Sequence, residues 1–79
     1  MQLNILAFGI AKQIVGSRCI TINMDTRTVG SLMQHLEQLY PDLQKLSCYR
    51  IAVNQEYAGM EQQLKENDEV AIIPPVSGG

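Results

Sequence analysis

Thr28-Val-Gly-Ser-Leu-Met-Gln-His-Leu-Glu-Gln-Leu-Tyr40 is the stretch whose pattern decides the fold. Val29, Leu32, Met33, Leu36, Leu39 and Tyr40 recur at the spacing of one continuous helical face. Thr28 is placed to cap the first turn, and Pro41 stops the helix just after Tyr40. Ser31, Gln34, Glu37 and Gln38 fall on the opposite, water-facing side. Each large apolar side chain on the first face contributes about 1.5–3 kcal/mol when fully buried, so the face must be covered. No second long amphipathic helix exists to cover it, and the helix therefore has to lie on a sheet.

The strands of that sheet are legible on either side. Residues 18–24 alternate Ile20, Ile22 and Met24 with Cys19, Thr21 and Asn23, the pattern of a half-buried strand. Residues 2–8 carry large apolar side chains at both parities, which predicts a central strand covered on both faces. Between them, residues 10–15 form a short helical turn with Ile10 and Ile14 on one side and Gly16 as its stop. Beyond Pro41, a looser stretch holds Leu43 and Leu46. Residues 51–53 form a short strand, Asn54-Gln55 a turn, and Glu56 and Tyr57 pair back across it. The polar turn Lys65-Glu66-Asn67-Asp68 leads into a last strand over residues 69–73. This order predicts an α+β protein, one mixed sheet packed on one principal helix. In a β-grasp arrangement the first and last strands lie side by side at the sheet's centre, and their apolar content agrees with that placement.

The 79 residues allow one domain, expected over residues 1–73, with no room for a second core. A net charge of −2 and six scattered basic residues argue against a nucleic-acid partner. Purely apolar runs such as residues 70–73 are far short of the roughly 20 residues of a membrane span. Gln2 and Asn4 interrupt the N-terminal apolar stretch, and no basic leader precedes it, so no signal peptide is expected and the compartment is taken as cytoplasmic. Cys19, Cys48 and His35 cannot form a structural zinc site without carboxylate ligands, so no metal is expected. In a reducing compartment the cysteines are free thiols, without an activating neighbour in sequence. His35 reads as a solvated helix residue and Met33 as core.

Residues 74–79 behave differently. Pro74-Pro75 cannot donate to a ladder and imposes extended geometry, so the sheet should stop there. Six residues at about 3.3 Å each give the tail a reach of roughly 20 Å. Gly78-Gly79 leaves its tip little more than backbone, suited to a narrow channel in an enzyme acting on the terminal carboxylate. Such a carboxylate can be activated as an acyl-adenylate and attacked by a sulfur or nitrogen nucleophile. Against this stands the ordinary frayed terminus, where small residues gather. The abrupt join of apolar strand, rigid Pro-Pro and terminal Gly-Gly favours the working tail.

The segment Asp68-Glu-Val-Ala-Ile-Ile-Pro-Pro-Val-Ser-Gly-Gly79 resembles the C-terminal signature of the small subunit of molybdopterin synthase. The opening strand ending in Phe8, Ala11-Lys-Gln-Ile-Val-Gly16, the helix of residues 28–40 and Ala52-Val-Asn-Gln55 are similar to the same family. The resemblance covers essentially the whole chain. Lys12-Gln13 stands where the family often has Arg-Glu, and Glu66-Asn67-Asp68 where Asp-Gly-Asp is more usual.

What the resemblance implies is a ubiquitin-like β-grasp sulfur carrier. A ubiquitin-activating-like adenylating enzyme would use ATP to convert the Gly79 carboxylate to an acyl-adenylate, and a sulfur donor would leave a thiocarboxylate there. The tail would then enter the large subunit of molybdopterin synthase, giving its sulfur to cyclic pyranopterin monophosphate to build the dithiolene of molybdopterin. The family complex is a heterotetramer. Gly79 would be the reacting residue and Gly78 would keep the approach clear. Pro74, Pro75, Val76 and Ser77 would give reach and backbone hydrogen bonds. Phe8, Ile72 and Ile73 are candidates for a docking surface at the tail's root, with core positions an equal reading for Phe8 and Ile72. The chain itself would bind no cofactor, and catalytic side chains would come from partners. Other readings keep the fold but send Gly79 to the thiamine pathway, to tRNA thiolation or to isopeptide bonds, or make the chain a plain binding module.

Overall fold

The computed structural model describes residues 2–25, 27–46 and 49–74. In chain order these form β1 (Gln2–Ala7), α1 (Gly9–Val15), β2 (Cys19–Asn23), α2 (Val29–Leu39), a 3₁₀ turn (Pro41–Lys45), β3 (Arg50–Val53), β4 (Glu56–Tyr57) and β5 (Glu69–Ile73). The five strands make one mixed sheet in the order β2-β1-β5-β3-β4. β1 and β5 are parallel and central, with Ile5 opposite Val70 and Ala7 opposite Ile72. β2 runs antiparallel to β1, and β3 antiparallel to β5. The expected side-by-side placement of first and last strands is what the sheet shows.

Local chemistry sets the boundaries. The Thr28 hydroxyl accepts from the Ser31 amide at 3.3 Å, capping α2. The amides of Val29 and Gly30, which a helix start leaves unpaired, donate to the carbonyls of Gln62 (3.0 Å) and Met60 (2.9 Å). A Cβ on Gly30 would stand 3.3 Å from the Met60 carbonyl oxygen, so glycine permits this close approach. Gly16 closes α1 at φ 83°, donating to the Lys12 carbonyl. Asn54 and Gln55 both take positive φ (52° and 72°) in the β3–β4 hairpin turn. Asn67 takes φ 70° in the turn before β5.

Leu3, Ile5 and Ala7 of β1, Ile51 and Val53 of β3, and Val70 and Ile72 of β5 form one core cluster with Val29, Leu32, Leu36, Leu43 and Leu64. Several expectations need correction. Leu39, placed on the core face by periodicity, is 52% exposed. Leu43 of the 3₁₀ turn is fully buried and takes up the core at that end. Met33 and Tyr40 pack against the core but are only partly buried, and His35 is half-buried rather than solvated. Finally, β1 is covered on one face alone: Leu6 is half-buried and Phe8 is 44% exposed on the other, because both helices contribute to a single core.

Candidate functional site: the open sheet face at the root of the tail

Strand alternation and register together place a row of side chains on the uncovered face. Leu6 of β1 is opposite Cys19 of β2 on one side and Ala71 of β5 on the other. Ala71 is opposite Ala52 of β3, and Ala52 is opposite Tyr57 of β4. The row Cys19–Leu6–Ala71–Ala52–Tyr57 thus crosses all five strands without a charge. Toward the end of β5, Ile73 is opposite Arg50, and Phe8 follows the Ala7–Ile72 pair on the neighbouring strand. In the other direction the face turns polar, with Thr21, Asn4 and Glu69 in one row and the Thr21 hydroxyl donating to Asn4 Oδ1 at 3.3 Å.

The apolar half is therefore the half from which the chain leaves toward residues 74–79. Leu6, Phe8, Ala52, Tyr57, Ala71 and Ile73 line an open depression of about 530 Å³ there, together with Gln55 and Glu69. Tyr57 is 67% exposed, and the Arg50 guanidinium carbon lies 5.3 Å from its ring centroid. Such a surface, left bare beside an outgoing strand, is a candidate docking face.

Of the residues singled out in the sequence, Phe8 and Ile73 lie on this face. Ile72 does not: it points into the core with no exposed surface, so its place in a docking surface is withdrawn. Pro74 lies at the root of the tail, its Cγ close to Gly9. Pro75, Val76, Ser77, Gly78, Gly79 and Cys48 lie outside the described residues. Cys19 is an exposed free thiol. Leu6, Ala71 and Tyr57 were missed as site residues. Counting by two from Phe8 and Ile73 would have found the first two; Tyr57 follows only from the register of the hairpin.

Away from this face, the Tyr49 hydroxyl donates to Glu37 Oε2 at 2.5 Å, tying the start of β3 to α2. Burial, then the hydrogen bond and the charge of Glu37, push the Tyr49 phenol well above its ordinary value of 10.0. Among the described residues no three His, Cys, Asp or Glu side chains are placed to hold a metal ion, and no helix is long and apolar enough to cross a membrane.

A five-stranded mixed sheet with parallel central strands, a helix across one face and a bare apolar patch beside the last strand defines the ubiquitin-like β-grasp class. Within it the chain belongs to the ThiS family, whose model matches residues 5–79. It is 42% identical over 83 residues to the molybdopterin synthase sulfur carrier subunit of Dictyostelium discoideum, covering 99% of this chain and 96% of that one. Among solved structures it is similar to SAMP1 from Haloferax volcanii, a small archaeal modifier protein, with TM-score 0.85 and 26% identity over the full length of both chains. It also shares its fold with a protein in the complex of subunits 1 and 2 of the Helicobacter pylori molybdopterin-converting factor, at TM-score 0.71, 22% identity and full coverage of both chains.

Proposed function

We propose that this chain is the sulfur carrier subunit of a molybdopterin synthase, with the Gly79 carboxylate as its working group and the cytoplasm as its compartment. The observation that carries the reading is the apolar row through Leu6 and Ala71. It gives a partner an uncharged row of side chains at the point where the chain runs on to Pro74-Pro75-Val76-Ser77-Gly78-Gly79. The full-length likeness to sulfur carrier subunits supports a sulfur-carrying role for that carboxylate.

On this reading a carboxylate oxygen of Gly79 attacks the α-phosphorus of ATP held by a ubiquitin-activating-like enzyme. Pyrophosphate leaves and an acyl-adenylate forms. Hydrosulfide delivered by a donor adds to the carbonyl carbon and AMP leaves, giving the thiocarboxylate. The bare backbone of Gly78-Gly79 then lets the tail thread the large synthase subunit, where the sulfur passes to cyclic pyranopterin monophosphate. The likeness to a protein from the complex of subunits 1 and 2 of a molybdopterin-converting factor supports a two-protein synthase. Nucleotide and catalytic side chains belong to the partners.

The test is ATP–pyrophosphate exchange by the adenylating enzyme from the same cells. Exchange should depend on this chain and vanish when Gly79 is deleted. Exchange that is indifferent to the deletion would refute the reading. A second reading, a protein modifier joined through Gly79 to lysines, is favoured by the similarity to the Haloferax volcanii modifier. Stable lysine conjugates that form in cells and need Gly79 would select it.

A further inference from the structure

We infer that Arg50 is a specificity determinant of the open sheet face, taking a carboxylate from an Asp or Glu of the large molybdopterin synthase subunit that docks there. This rests on the docking reading above and adds to it the charge the partner must present.

Three observations converge on Arg50. It is exposed, at the start of β3, and directly opposite Ile73, the last residue of the outgoing strand. Its guanidinium stands over the ring of Tyr57, which ends the apolar row. No carboxylate among the described residues lies within ion-pair distance of it, whereas Lys45 is paired with Asp42 at 3.3 Å. In the rows containing Leu6 and Ile73, Arg50 is the one charged residue.

A partner that covers Phe8, Ile73 and Tyr57 must also strip water from Arg50. A cation desolvated without an anion costs several kcal/mol, so an apolar partner surface there would be rejected. A carboxylate in the same place gains a charge-assisted, two-pronged hydrogen bond that lysine cannot match in geometry. The contact with the Tyr57 ring restrains the guanidinium before binding, which lowers the ordering cost. Arg50 therefore selects a partner with an acidic residue beside its apolar patch and rejects one without.

The experiment measures the affinity of the large molybdopterin synthase subunit for the full chain by calorimetry at low and high salt. Variants are Arg50→Glu, Arg50→Met, Arg50→Lys and Leu6→Asp, with thermal unfolding of each to confirm the fold. Arg50→Glu should weaken binding by about 100-fold or more and Arg50→Met by about tenfold, the latter with a flattened salt dependence. Arg50→Lys should recover part of the loss. If Leu6→Asp abolishes binding while Arg50→Glu binds like the parent at both salt concentrations, the face docks but Arg50 does not select. If Leu6→Asp also binds like the parent, the docking face itself is wrong.

Discussion

Gly9 and Pro74 meet at the root of the tail: a Cβ on Gly9 would stand 3.2 Å from the Cγ of Pro74. Gly9 also holds φ 56°, a conformation that side chains rarely adopt. One residue thus turns the chain from β1 into α1 and leaves space for the first proline after β5. Gly9→Ala should cost about 1–2 kcal/mol from backbone strain and displace Pro74, read as a lower unfolding midpoint together with weaker partner binding. Unchanged binding would separate the turn from the tail.

At the far end of β3, Gln55 sits at φ 72° in a tight turn whose second position favours glycine. Gln55→Gly should stabilise the protein by up to about 1 kcal/mol, raising the unfolding midpoint by roughly 4–8 °C for each kcal/mol in a domain of this size. Asn54, the other turn residue, is not equally replaceable. Its side chain donates to Asp68 Oδ1 and accepts from the Glu69 amide, both at 3.1 Å, clamping this turn to the one before β5. Asn54→Ala should cost about 1–2 kcal/mol. Urea unfolding of the two variants checks both signs.

Leu36 is fully buried in the middle of α2. Leu36→Ala should destabilise by about 2–5 kcal/mol, a large share of the stability available to a domain this small. Leu39→Ala, about one-sixth of a turn from Leu36 round the helix axis but half exposed, should cost well under half as much. Equal losses would put Leu39 back in the core.

Tyr49 has its folded-state proton affinity raised, so the folded protein holds the phenol proton where the unfolded chain has begun to release it. Its contribution is complete below the ordinary value of 10.0 and declines as pH rises above it toward the raised folded value. Stability should fall with pH above about 10, more steeply in the parent than in Tyr49→Phe. Parallel curves for the two proteins would show that the Glu37 contact does not hold the proton.

Much of this was readable in the sequence because it depends on local pattern. The bounds of β5, the cap at Thr28, the Gly16 stop and the Asn54-Gln55 turn all follow from residues a few positions apart. What failed depended on distant packing. Leu39 is half exposed while Leu43, from the 3₁₀ turn, is fully buried, and helical periodicity alone cannot tell the two apart. That β1 is open on one side depends on there being no further layer, which alternation cannot reveal. Ile72 and Ile73 differ only in parity, and the β1–β5 register settles which one faces out. Arg50 gave no signal, because its meaning comes from Ile73 across the ladder and Tyr57 over the turn.

The central claim is that Gly79 carries sulfur, and the most direct measurement is the mass of the C-terminal peptide from protein isolated from cells making the cofactor. Cleavage after Lys65 releases residues 66–79, which contain neither Met nor Cys. A gain of about 16 Da on that peptide therefore cannot come from oxidation of a sulfur side chain. The account predicts this gain, confined to Gly79 and absent when the sulfur donor is removed. An unmodified terminus under those conditions would contradict it.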